Sequence, residues 1–145
     1  MQQPTTFDLS RFHEAQAPIY QRALAELRAG RKQSHWMWFV FPQIDGLGMS
    51  AMTQRYAVGS LGEASAYLAD PVLGRRLSEC VEAVLAVPEK SAHEIFGSPD
   101  DMKFRSSLTL FAAAAADRSL FEAALQRFYN GVPDSRTLAL LGDRR

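Results

Sequence analysis

The sequence has few of the features that mark specialised classes of protein. Its single cysteine, Cys80, excludes an intramolecular disulfide framework and a zinc site built from several cysteines. The unbroken apolar runs, such as residues 36–41, are far shorter than the roughly 20 residues that cross a bilayer. The N-terminus lacks the basic start and apolar stretch of a secretory signal. We therefore expect a soluble, cytoplasmic protein that does not associate with membranes.

An excess of charge of either sign is also lacking. Sixteen Lys and Arg balance sixteen Asp and Glu, so the formal net charge is zero. Since nucleic-acid binders usually carry a basic stripe, we expect no nucleic-acid partner. The three histidines are far apart and none has metal-ligand spacing, so no metal site or cofactor is predicted. Glycine-rich phosphate loops and the G-x-S-x-G motif of hydrolases are absent too.

The signals that are present indicate helices. The length of 145 residues fits one domain, large enough to bury a core without staples. Tyr20, Leu24 and Leu27 recur at helical spacing, and Ser91 with Glu94 matches a capping box. We predict an all-α fold, a compact single-domain multihelical bundle around a buried aromatic segment. The helical domain would span residues 7–141, with tails at residues 1–6 and 142–145.

Residues 36–41 are the predicted centre of this bundle. All six are apolar, and four of them carry aromatic rings. Periodicity alone does not separate a buried strand from a short buried helix. Because a lone strand needs a partner and no second strand is evident, we predict a short buried helix. Ser34 would cap it and Pro42 would end it.

Polar residues at the edge of this segment are the first candidates for chemistry. His35 could act as a general base near neutral pH, or serve as a hydrogen-bonded structural histidine. Trp36 and Trp38 could stack on the ring of a ligand, although aromatic residues this concentrated are also typical of a core. Gln43 lies at the other end of the same segment.

A second candidate region begins at residue 100. Lys103 and Ser107 lie one turn apart on a predicted helix, where they could hold an anionic group, and Asp101 could act as a base. Alternatively, Asp100 and Lys103 form an exposed ion pair, and the hydroxyls bond back to helix carbonyls. The candidate catalytic residues are therefore His35 and Asp101. The ligand-binding candidates are Trp36, Trp38, Gln43, Lys103 and Ser107.

Several motifs in the chain resemble one bacterial family. They are H-W-M-W-F at residues 35–39, F-P-Q at residues 41–43, I-F-G at residues 95–97 and P-D-D at residues 99–101. On them the chain is similar, over nearly its whole length, to the domain-of-unknown-function family eighteen-ten. Members are sometimes labelled calpastatin, but nothing here resembles a disordered inhibitor. The resemblance implies a multihelical domain without an established activity. A fainter similarity, around Phe12, Ala15 and Gln16, is to a family that processes ADP-ribose, none of whose catalytic residues can be placed here.

Two functional hypotheses follow from these residues. The first is binding, and as an extension hydrolysis, of a nucleotide-like or ADP-ribose-related small molecule. The second is a non-catalytic protein-interaction module whose aromatic cluster is only core. The hypotheses differ in whether His35, Gln43 and Lys103 line one cavity. The sequence leaves the oligomeric state open.

Overall fold

Helices alone build the architecture of the computed structural model, which describes residues 7–143. In chain order they are α1 (Ser10–Gln16), α2 (Tyr20–Arg28), α3 (Met37–Val40), α4 (Ala51–Arg55), α5 (Leu61–Ala69), α6 (Leu73–Leu85), α7 (Ala92–Phe96), α8 (Asp100–Ala114), α9 (Ser119–Tyr129) and α10 (Ser135–Asp143). Within the described part of the chain, strand-like pairing is limited to one isolated bridge between Ile44 and Val58. The predicted all-α fold is confirmed.

Serine caps begin α5 and α7, but the cap predicted at Ser34 is wrong, because α3 begins after Trp36 and the Ser34 hydroxyl donates to Glu26. Ser91 and Glu94 form the full capping box, in which each side chain accepts from the backbone N–H of the other. Ser60 likewise accepts from the N–H of Glu63. The Glu63 carboxylate, however, accepts from the N–H of Gly59 at 2.7 Å instead of returning the bond to Ser60. Short-range spacing therefore located both helix starts.

Helix α8 is the central element of the bundle. It packs against α5, α7, α9 and α10, and residues 106–112 are buried at every position. The hydroxyls of Ser106 and Thr109 bond back to the helix, as one sequence interpretation expected, whereas that of Ser107 has no partner among the described residues. Ser106 Oγ donates to the carbonyl of Met102 at 3.2 Å, and Thr109 Oγ1 to that of Arg105 at 2.8 Å.

The aromatic segment forms a short buried helix, α3, as predicted. Trp36 and Phe41, which flank α3, are both fully buried. The Phe41 ring lies 6.2 Å from Trp36 and 4.9 Å from Phe104, and Phe104 stacks on Phe96 at 4.6 Å between centroids. These ring contacts join α3, α7 and α8 into one core.

The carboxylate of Glu26, on α2, holds the chain that leads into this core. It accepts the backbone N–H of Gln33 at 2.8 Å and of Ser34 at 2.9 Å. It also accepts Ser34 Oγ at 2.6 Å and the indole Nε1 of Trp36 at 2.9 Å. Burial alone raises the pKa of this carboxyl, but the hydrogen bonds outweigh burial and lower the pKa to about 2. Glu26 therefore anchors residues 33–36 as a carboxylate.

The buried amide of Gln16 holds the far end of the same segment. Its Nε2 donates to the carbonyl of Phe39 at 2.7 Å and to the hydroxyl of Tyr67 at 2.9 Å. Its Oε1 accepts from a guanidinium nitrogen of Arg76 at 3.4 Å. The amide is 1% exposed, and both its nitrogen and its oxygen have partners. Gln16 therefore ties α1 to α3, α5 and α6.

The described residues reach slightly beyond the predicted C-terminal end of the domain. Helix α10 continues to Asp143, so the predicted tail at residues 142–145 begins inside its last turn. The predicted tail at residues 1–6 lies outside the described residues, as do residues 144 and 145. No helix in the described range is both long and apolar enough to cross a membrane.

Replacing the anchor should destabilise the protein far more than removing its outer ion pair. We expect Glu26→Ala to lower the free energy of unfolding by about 3 kcal/mol, since two backbone N–H groups and an indole N–H lose a charged acceptor. Urea denaturation measures this loss. The control is Arg22→Ala, whose side chain is 68% exposed and 3.4 Å from Glu26, and which should cost less than about 1 kcal/mol. Equally small losses in both variants would contradict the anchoring role.

The same carboxylate makes a pH-dependent contribution to stability. Its folded-state pKa lies below the ordinary 4.5, so its contribution is fully present above pH 4.5 and is lost as the pH falls towards 2. The difference in unfolding free energy between the unmodified protein and Glu26→Gln should therefore shrink as the pH is lowered from about 6 to about 2.5. Denaturation curves across this range test the convergence. A constant difference would show that the ionised form is not favoured by folding.

Candidate functional site

A cavity of about 310 Å³ opens where the start of α8 faces the loop before α4 and the start of α10. Its volume is at the lower end of the range of about 300–1,000 Å³ that is typical of small-molecule sites. We call it the Lys103 cavity. Its lining residues are Gln43, Leu47, Gly48, Thr53, Pro99, Met102, Lys103, Ser106, Asp134 and Arg136.

Lys103 belongs to a charged trio on the cavity wall. Its Nζ lies 3.7 Å from Oδ1 of Asp100 and 5.4 Å from the centre of the Trp38 ring. The other oxygen of Asp100, Oδ2, lies 2.9 Å from Nζ of Lys32. The carboxylate of Asp100 is therefore shared by the ammonium groups of Lys32 and Lys103, and the three side chains together carry one net positive charge. The closer pair is Lys32 with Asp100, so Lys103 is the less compensated cation.

Arg136 contributes a second cation from α10. Its side chain is exposed and has no hydrogen-bond or ion-pair partner among residues 7–143. The nearby Asp134 is occupied as a helix cap, because its Oδ2 accepts the N–H of Thr137 at 2.9 Å and the hydroxyl at 2.6 Å. Arg136 is thus free to bind a group in the cavity.

Uncharged polar groups complete the wall. The backbone carbonyl of Gln43 accepts the N–H of Val58 at 2.8 Å, which places this residue beside the isolated bridge. The Gln43 side-chain amide itself has no hydrogen-bond partner within the described residues. Ser106 is 6% exposed and uses its hydroxyl hydrogen on a helix carbonyl, which leaves its oxygen as an acceptor.

Comparison with known proteins agrees with this architecture. The family described as a protein of unknown function (DUF1810) matches residues 6–141. The chain belongs to the DUF1810 family. It is 54% identical to the conserved hypothetical protein Rv1873 from Mycobacterium tuberculosis, whose crystal structure matches with a TM-score of 0.92. That match covers 94% of this chain and 97% of the other. Among curated proteins, none matches the chain significantly.

Family membership confirms the prediction made from the motifs at residues 35–39 and 41–43. Of the predicted site residues in this DUF1810 protein, Gln43 and Lys103 come together in one cavity. Trp38 is half-buried beneath the Lys103 ammonium, and its buried indole Nε1 has no hydrogen-bond partner within residues 7–143.

None of the three predicted residues Trp36, Trp38 and His35 lines the cavity, and Trp38 is connected to it only through the Lys103 ammonium. Trp36 is fully buried, so neither face of its ring is available for stacking on a ligand. His35 is exposed and does not line the Lys103 cavity. The physical reason is the carboxylate of Glu26, which draws Ser34 and Trp36 inward and leaves the residue between them facing solvent.

Asp101 and Ser107 also lie away from the cavity. One oxygen of Asp101 is 3.4 Å from Nδ1 of His93, and the other accepts the N–H of Met102. Ser107 is 1% exposed and its hydroxyl has no partner among the described residues. Since each residue turns a helix by about 100°, it is the preceding Ser106 that faces the cavity.

Four polar residues of the cavity wall were missed by the sequence reasoning: Thr53, Ser106, Asp134 and Arg136. They come from three separate elements, and no short-range spacing connects them. Arg136 carries one signal that could have identified it. It lies in the first turn of α10, where the helix dipole disfavours a cation, so an arginine there suggests a role outside the helix.

Metal-ligating and nucleophilic side chains form no further candidate site in the described part of the chain. No three His, Cys, Asp or Glu side chains in the described chain are placed to hold a metal ion together. Cys80 is fully buried on α6, and burial raises the pKa of its thiol to about 12. Cys80 is therefore part of the core.

The thiol should therefore react only after unfolding. With Ellman's reagent at about pH 8 we expect no measurable reaction of native Cys80, because both access and thiolate are lacking. In concentrated urea one thiol per chain should react rapidly. Rapid reaction of the native protein would show that α6 opens or that the thiol is accessible.

Proposed function

We propose that the Lys103 cavity binds a small anionic molecule of the phosphorylated or nucleotide-like class. The observation that carries the proposal is the presence of Lys103, Arg136 and the free Gln43 amide in one cavity of small-molecule size. Ammonium and guanidinium groups bind phosphate oxygens through charge-assisted hydrogen bonds. An amide adds both a donor and an acceptor.

The charge balance of the wall supports an anion over a cation. Two lining side chains are positive and one is negative, and the negative one, Asp134, already caps α10. The carboxylate nearest Lys103, that of Asp100, is shared with Lys32. A chain with zero net charge thus has a local positive excess at this cavity.

The proposal is restricted to binding. The candidate acid–base residues His35 and Asp101 lie outside the cavity, so neither is placed to act on a molecule held by Lys103. The competing hypothesis of a pure interaction module expected both tryptophans to be fully buried and the polar groups to lie apart. The buried Trp36 fits that expectation, and so does His35, which shares no cavity with Lys103. The half-buried Trp38 and the cavity that Gln43 and Lys103 share favour a ligand.

Two substitutions with opposite effects test the proposal. In calorimetric titrations with AMP and with ADP-ribose at low ionic strength, Lys103→Gln should weaken binding about tenfold, because a charge-assisted contact is lost. Asp100→Asn should strengthen binding, since it removes the carboxylate 3.7 Å from the Lys103 ammonium.

Arg31→Gln is the matched control, because it removes the same charge from an exposed side chain outside the Lys103 cavity. It should leave binding unchanged. Thermal unfolding gives an independent readout, since a bound ligand stabilises by RT ln(1 + [L]/Kd). The absence of any stabilisation at millimolar concentrations of either anion would overturn the proposal.

A further inference from the structure

Exposed methionines are concentrated at the Lys103 cavity. Met102 lines it and is 48% exposed. Met49, which is 88% exposed, directly follows the lining residue Gly48, and Met52, which is 37% exposed, directly precedes the lining residue Thr53. Among the described residues, three of the six large hydrophobic side chains that remain exposed are these methionines. Met102 is the one of the three whose side chain lines the cavity itself.

Polar and apolar groups are separated along the wall that α8 provides. The α8 region contributes Pro99, Met102, Lys103 and Ser106, a stripe with helical spacing. The apolar members come first in the chain and the polar members follow. Met102 and Ser106 are separated by about 6 Å along the helix axis. A ligand lying along this stripe meets methionine at one end and polar groups at the other.

Methionine is suited to a flat unsaturated ring. Its polarisable sulfur makes favourable contacts with aromatic rings, and its flexible side chain adapts to their outline. Leu47 and Pro99 add further apolar surface to the same cavity. The cavity volume of about 310 Å³ suits one ring system with one phosphate, whereas a molecule with two nucleoside halves would extend beyond it.

We propose that the occupant is a phosphate monoester carrying a single heteroaromatic ring, a mononucleotide-type molecule. Its ring contacts Met102, and its phosphate lies between Lys103 and Arg136. This inference rests on the function proposed above and specifies the class of ligand for that same cavity.

The test compares ligands that differ only in the ring. Calorimetric titrations use ribose 5-phosphate and AMP, with adenosine to isolate the ring. AMP should bind two- to tenfold more tightly than ribose 5-phosphate, the range that a sulfur–ring contact supports. Met102→Ala should remove this difference and leave ribose 5-phosphate binding unchanged. Lys103→Gln should weaken both phosphates and leave adenosine unaffected. Val132→Ala, at an apolar side chain that is 52% exposed outside this cavity, is the control and should change nothing.

The outcomes separate the two proposals. Equal affinities for AMP and ribose 5-phosphate, both weakened by Lys103→Gln, would overturn the inference about the ring and leave anion binding standing. A Met102→Ala variant that weakens both phosphates equally, with an unchanged circular dichroism spectrum, would also overturn it. If neither phosphate binds the unmodified protein, the proposed anion site itself fails.

Discussion

The carboxylate of Glu26 is the interaction on which the functional surface depends. By accepting the indole N–H of Trp36 it fixes that ring in the core, and the Trp36 ring lies 5.1 Å from the ammonium of Lys32. Lys32 in turn engages Asp100, the carboxylate that faces Lys103. A chain of contacts therefore runs from the half-buried Glu26 to the cation on the cavity wall.

Several charged side chains in this neutral protein have a structural role. Glu26 and the helix-capping Asp134 satisfy backbone groups that would otherwise cost free energy, as the neutral amide of Gln16 does for the carbonyl of Phe39. Lys32 has a side chain only 9% exposed and is paired with Asp100 at 2.9 Å. What distinguishes Lys103 and Arg136 from these residues is incomplete pairing at an accessible cavity. A positive excess is thus a matter of local arrangement, which the overall balance of sixteen against sixteen conceals.

The fold was predictable from the sequence because its signals are short-range. Helical spacing, the capping box at Ser91 and the apolar run at residues 36–41 each report local structure, and the structure confirms them. Ser34 is not a cap, because a carboxylate distant in the chain takes its hydroxyl. Glu26 and Gln16 could not be recognised in this way. In the sequence, a glutamate in an amphipathic helix is typical of a solvated residue. The partners of Glu26 lie in residues 33–36, beyond the end of its own helix. Periodicity reports which side of a helix is buried, but it does not report which distant group a polar side chain will meet.

The candidate site was partly predictable for a related physical reason. The dense aromatic segment correctly located the centre of the core, and Gln43 and Lys103 lie at its edge. The segment does not show, however, which of the edge residues face the cavity and which face solvent. Glu26 turns His35 outward, and the phase of α8 selects Ser106 over Ser107. Trp38 connects the core to the cavity wall: its ring packs against the core and lies under the ammonium of Lys103, which lines the cavity. A cation supported by a packed ring is held more precisely than one on a free loop, and precise placement is what selective binding of a small ligand requires.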